Sequence, residues 1–232
     1  MNMRRHHVCC LTLAAGMLVP AILSTTVSAA TVAASEQQAT ASLINQLKGM
    51  QRLTANFEQT TKVTHPKAVK SKGLTAQHMN QTFKGVMKVE RPGKFYWETS
   101  SPVKQTIVSS GKTVWIYDPD LQQAVRQSLD EQMSNTPALL LSGNTNQIMT
   151  AYKVAQPDQS KTYYTLTPKN KEGAFQHLTI SFSAKNKPSM MVLQDSLDQT
   201  TYIKFRNVVV NGAIPAATFN FVPPKGTDII DQ

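Results

Sequence analysis

Through much of this chain, apolar side chains recur at every second position. Phe83, Met87 and Val89 alternate with Lys84, Lys88 and Glu90, and past the Pro92-Gly93 turn Phe95 and Trp97 alternate with Lys94 and Glu98. A period of two marks a strand with one face buried and one face wet. The same reading predicts strands at 83–90, 94–99, 103–109, 113–117 and 123–129, and later at 152–155, 162–167, 177–182, 190–194, 201–207 and 217–221. Turn-forming pairs separate them, among them Ser110-Gly111, Asp118-Pro119 and Pro157-Asp158. Connections this short predict antiparallel neighbours. Many strands with one apolar face each predict a single curved sheet or an open barrel.

Two segments depart from that period. From Ser35 to Leu53, Leu43, Leu47 and Met50 share one helical face with Ile44 beside them, and Ser35 stands as N-cap with Gln38 at the capping-box position. A strand from Thr54 to Lys62 follows. The second departure is "NTPALLLSGNTNQIMTAY". Asn135 or Thr136 caps a short helix there, Pro137 takes its first position, and an apolar run ends at Leu141. A further short helix fits Asn144 to Ala151, and the polar stretch His65 to Gln81 reads as a loop.

Composition changes the picture at the N-terminus. Arg4 and Arg5 precede an apolar run from Val8 to Leu23, and Val27-Ser28-Ala29-Ala30 offers a small-residue cleavage site. This predicts an export signal over residues 1–30 and one domain over 31–232. The two cysteines, Cys9 and Cys10, fall in that leader. An exported chain lacking them has no disulfide, thiol nucleophile or thiolate metal site, which fits a bacterial periplasm. The formal charge of +10 drops to about +8 without the leader (22 Lys and Arg against 14 Asp and Glu). Lysines dominate the excess, with one concentration at Lys62, Lys67, Lys70 and Lys72. Export argues against nucleic acid as a partner. The charge suits an anionic membrane surface or an acidic protein, and equally an ordinary solvated face.

Candidate chemistry is sparse. Asp118 and Asp120 flank Pro119 and read as turn formers; His65 and His78 lie in the polar loop and His177 on the wet phase of its strand. No nucleophile elbow, zinc-helix motif or phosphate-cradling glycine loop appears, so neither a catalytic centre, a metal nor a cofactor is predicted. What remains is apolar geometry. Either the helices and sheet close a filled core, or the concave face is incompletely filled and the helices form a lid over a lipid-sized hollow. Periodicity fits both. Arg91 adds a question: a permanent cation at a hairpin corner, in phase with the apolar face, needs partners.

The stretch "FKGVMKVERPGKFYWETSSPVKQTIVSSGKTVWIYDPDLQQAV" resembles the LolA family of periplasmic lipoprotein carriers, as do "LTANFEQTTK", "NTPALLL", "YTLTPK" and the closing "FNFVPPKGTDIIDQ". The likeness covers nearly all of the exported chain, in family order. It implies a mainly β fold: an incomplete antiparallel β-barrel covered by an α-helical lid. It implies a monomeric carrier, not an enzyme. Such a carrier takes a triacylated lipoprotein from an inner-membrane ABC exporter, shields its acyl chains, and delivers it to an outer-membrane acceptor. By the same resemblance, Arg91 matches the arginine that latches the lid. Phe95, Trp97, Leu43, Leu47 and Leu53 match the acyl-chain cavity, and Pro137, Leu139, Leu140 and Leu141 match the lid helix. Ala138 stands where the family pattern suggests a bulkier side chain. Rival readings are a carrier of another lipid or glycolipid on the same scaffold, and an enzyme using Asp118, Asp120 and Glu98 in the open barrel. The pathway's outer-membrane acceptor shares the fold but needs a lipid-modified cysteine at its mature start.

Overall fold

A computed structural model of the chain describes residues 26–63, 81–129, 137–143, 145–170, 175–197 and 199–232. Residues 1–25 of the expected export signal, most of the expected Lys-rich loop and the expected caps Asn135 and Thr136 lie outside them. Twelve strands form one sheet: β1 (Arg52–Val63), β2 (Thr82–Glu90), β3 (Lys94–Ser101), β4 (Gln105–Ser110), β5 (Thr113–Asp118), β6 (Gln123–Ser128), β7 (Tyr152–Ala155), β8 (Tyr163–Pro168), β9 (Phe175–Phe182), β10 (Pro188–Asp195), β11 (Gln199–Val210) and β12 (Asp228–Asp231). Their order across the sheet is β12-β6-β5-β4-β3-β2-β1-β11-β10-β9-β8-β7, so the first and last strands do not pair and the barrel stays open. All neighbours are antiparallel except β12, which runs parallel to β6. That exception corrects the expectation of antiparallel pairing throughout. The last strand arrives over a long return from β11, and a two-residue turn does not constrain its direction.

The alternation read in the sequence is the alternation of the two faces. Ala55 and Phe57 of β1, Met87 and Val89 of β2, Phe95 and Trp97 of β3, and Ile203 and Phe205 of β11 are buried in one core. Their in-between neighbours face solvent. Helix α1 (Thr26–Lys48) packs Ala39, Leu43 and Leu47 into that core and lies against β7. Leu53 belongs to β1, not to the helix. α1 also begins nine residues before Ser35, so Ser35 is not its N-cap. The alanine-rich run upstream has high helix propensity and carries the helix back into the stretch read as leader.

Gln46 Nε2 of the helix donates to the Asn186 carbonyl at 3.0 Å, and two further joints fix the helix to the sheet. The Tyr164 and Ser42 hydroxyls hydrogen-bond at 2.7 Å. Asn211, with φ of 58°, accepts from the Gln51 and Arg52 amides at 2.9 and 3.2 Å and donates to the Gly49 carbonyl at 3.0 Å. One side chain beyond the end of β11 thus satisfies the backbone of the α1–β1 turn.

Between β6 and β7 come a 3-10 helix (Pro137–Leu141) and α2 (Thr145–Ala151). The expected helix at 137–141 is present, in the tighter 3-10 form. The strand expected at 217–221 is absent; Ala216–Phe219 is a 3-10 helix. Phe219 is buried, with this helix against β3 and β4, and Phe221 packs on Trp115 and Tyr117 at centroid distances of 5.7 and 5.5 Å. The segment lies across the convex face of the sheet. Its apolar alternation comes from straddling that face, not from pairing within it.

Candidate functional site

The concave face carries a stack of aromatic rings. Trp97 lies on Phe57 at 3.7 Å between centroids and 21° between planes, and Phe95 follows at 6.1 Å and 11°. The close stack is possible because β2 offers Gly85 opposite Phe57. A Cβ on Gly85 would stand 2.7 Å from two carbons of the Phe57 ring.

Over this face lies the 3-10 helix. Ala138, Leu139, Leu140 and Leu141 are each no more than 2% exposed and belong to the same core as Leu43, Leu47, Leu53, Phe95 and Trp97. Of Pro137 only the backbone is described. The interior is nevertheless not full. A cavity of about 380 Å³ remains, walled by Phe83, Trp97, Ile107, Leu193 and Ile203, with Ala138 of the lid on one side. Trp97 and Ala138 therefore border free space, while Leu43, Leu47, Leu53, Phe95 and the three lid leucines are packed among one another. The small side chain at 138 is part of why space remains. This volume is at the lower end of the roughly 300–1,000 Å³ of single small-ligand sites. Three fatty chains need the lid leucines to leave.

The lid is tied to the β2–β3 corner. The Gly93 amide donates to the Ser142 carbonyl at 2.8 Å, and Ser109 Oγ holds the Gly93 carbonyl at 2.9 Å. Arg91 Nη1 donates to the Gly143 carbonyl at 2.7 Å. Arg91 Nε and Nη2 are buried without a partner among the described residues. The cation expected to need partners has one. Burial lowers its pKa from the ordinary guanidinium value to about 10. A hydrogen bond from a charged donor is worth about 1.5–3 kcal/mol. With the Gly93 amide, this side chain ties the lid to the β2–β3 corner.

Sequence reasoning left eight cavity residues unassigned: the apolar Phe83, Ile107, Leu193 and Ile203, and four polar ones, Gln59, Thr99, Gln105 and Thr201. The polar four occupy the inward phase of their strands, which was the available signal, but their polarity hid it. The suspects for catalysis have structural work. Asp118 Oδ1 accepts from the Asp120 and Leu121 amides at 2.9 and 3.0 Å and closes a turn. Glu98 accepts from the Tyr96 hydroxyl at 2.5 Å on the convex face; burial, together with this hydrogen bond and the Glu98 charge, pushes the tyrosine pKa up to about 12. His177 Nδ1 is 3.1 Å from the Thr167 hydroxyl. Among the described residues no group of three or more His, Cys, Asp or Glu could hold a metal. No described helix is long and apolar enough to cross a membrane.

An open sheet whose concave face is capped by a short helical segment around a cavity with no charged lining residue defines a protein with a hydrophobic cavity. Comparison with known proteins specifies the class further. Residues 48–222 match the family model described as outer membrane lipoprotein carrier protein LolA, and the chain belongs to this family. An outer-membrane lipoprotein carrier protein of Pseudomonas entomophila is 39% identical over 212 residues, covering 91% of this chain and 97% of that relative. The carrier protein of Hahella chejuensis is 41% identical over 189 residues, covering 80% and 85%. Among solved structures, a LolA superfamily protein from Nitrosomonas europaea aligns with a TM-score of 0.48 at 11% identity, over 79% of this chain and 98% of that one.

Proposed function

We propose that this protein acts in the periplasm as a monomeric, non-catalytic carrier that holds the acyl chains of lipoproteins in its concave cavity. Cargo comes from an inner-membrane ABC exporter and leaves to an outer-membrane acceptor. The observation that carries this reading is the lid: three consecutive leucines fill the interior beside an existing cavity, tied down by few polar contacts. Each buried methylene is worth about 0.8 kcal/mol, so several acyl chains can displace these leucines with a net gain in apolar burial. Much of that gain is spent on ordering the chains and freeing the lid, which keeps affinity moderate and cargo exchangeable. Arg91 is the latch in this scheme. Phe95, Trp97, Leu43, Leu47 and Leu53 form the acyl-facing wall once Leu139, Leu140 and Leu141 withdraw.

Vesicles holding the exporter and a labelled lipoprotein provide the test. With ATP and the purified carrier, lipoprotein should appear in the soluble fraction as a one-to-one complex. Lipoprotein that stays with the vesicles at saturating carrier contradicts the proposal.

A further inference from the structure

The cavity has two ends of different chemistry. On β1, Phe57 is followed inward by Gln59; on β3, Trp97 by Thr99. On β4, Ile107 is preceded by Gln105, and on β11, Ile203 by Thr201. Because these strands are antiparallel, all four steps from apolar to polar run toward the same end of the sheet. Thr99 and Gln105 are direct cross-strand partners. The opposite end is the Arg91–Gly93 corner. Toward the latch the lining is therefore apolar, and at the far end amides and hydroxyls join it, interspersed with Phe83 and Leu193, the cross-strand partners of Gln59 and Thr201.

These four polar residues, a broken ring, are not consumed by the fold. Thr201 shares a hydrogen bond with Thr61 at 2.8 Å. The side chains of Gln59, Thr99 and Gln105 have no hydrogen-bond partner among the described residues. Thr99 is only 7% exposed and borders the cavity. None of the residues lining the cavity is charged.

We propose that Gln59, Thr99 and Gln105 form a polar subsite for the ester and amide carbonyls that join fatty chains to an acylated cysteine. This rests on the carrier reading and adds orientation to it. Tails lie toward the latch, carbonyls sit at the ring, and the protein part of the cargo stays outside. Gln and Thr donate hydrogen bonds that such carbonyls accept. A ring without a cation offers a phosphate donors but no counter-charge, so diacyl phospholipids share the carbonyl chemistry but must partly desolvate an unpaired charge beside it.

The test uses the intact carrier and three synthetic probes with matched chains: a triacylated cysteinyl lipopeptide, its analogue with both ester links replaced by ethers, and a diacyl phosphatidylglycerol. The ester lipopeptide should bind about ten-fold more tightly than the ether analogue, the return from a few neutral hydrogen bonds. It should also bind more tightly than the phospholipid. The double variant Gln59→Leu with Gln105→Leu should bind ester and ether forms equally, with the ether form bound at least as well as by the parent. Equal binding of the two lipopeptides by the parent overturns the subsite and leaves the carrier reading standing. Phospholipid bound as tightly as the ester lipopeptide overturns the neutral-ring selectivity. A parent that binds no probe overturns both readings.

Discussion

Replacing Arg91 by leucine is expected to give a folded carrier that loads lipoprotein and hands it on slowly. In the closed protein, Arg91 gains one hydrogen bond to the Gly143 carbonyl, and its buried Nε and Nη2 have no partner among the described residues. Removing it costs the lid one tie but also removes a desolvated cation, so the fold is expected to change by no more than about 1–2 kcal/mol in either direction. With acyl chains in place of the lid, the parental cation loses its carbonyl and faces hydrocarbon. Leucine adds apolar wall at the same point. The liganded state of the variant is therefore stabilised relative to that of the parent, and transfer to an acceptor membrane should slow by ten-fold or more, as about 1.4 kcal/mol suffices for a factor of ten. Thermal unfolding and a timed transfer assay read the two effects separately. Delivery at the parental rate refutes the latch.

The largest effect on stability is expected from Gly85→Ala. A Cβ at this position would lie 1.8 Å from the Glu98 carbonyl oxygen of β3 and 2.7 Å from the Phe57 ring. The first contact is with backbone, which has no rotamer to change. Either the β2–β3 ladder opens locally or β2 shifts and drives Phe57 off Trp97. Overpacking of this kind costs about 1–3 kcal/mol, and disturbing the Phe57–Trp97 stack adds about 0.5–1.5 kcal/mol. A loss of about 3 kcal/mol in chemical denaturation is the expected outcome, with altered tryptophan emission. A variant as stable as the parent contradicts the packing described for this wall.

Most of the sheet was legible because its two faces differ so sharply. Strands β2 and β3 show it best, with Met87, Val89, Phe95 and Trp97 buried and the lysines and glutamates between them on the wet side. Legibility failed where alternation had another cause or where polarity masked an inward position. Phe219 and Phe221 alternate like a strand, yet they anchor a segment laid over the convex face beside Phe221's partners Trp115 and Tyr117. Gln59 and Thr99 point inward on the same phase as Phe57 and Trp97, but a rule that equates inward with apolar skips them. The latch was half visible. The phase of Arg91 announces a cation on the apolar side, while its partner is a backbone carbonyl 52 residues away that no side-chain pattern encodes. The short helix itself was recognisable through Pro137 and the leucine run; its place as a lid came from the family resemblance, and its depth of burial follows from tertiary packing alone. The start of α1 was misplaced because a capping serine outweighed the helix-forming alanines before it.

The account depends on fatty chains entering the space beside Trp97. The chain has two tryptophans, and they report on opposite faces: Trp97 is buried in the concave stack, and Trp115 packs under Phe221 on the convex side. Lipopeptide with brominated acyl chains quenches tryptophan only at near contact. In a Trp115→Phe variant it should extinguish most of the remaining emission at saturation, and in a Trp97→Phe variant it should leave emission unchanged. Undiminished Trp97 emission at saturating ligand, or quenching of Trp115 in its place, would contradict the account.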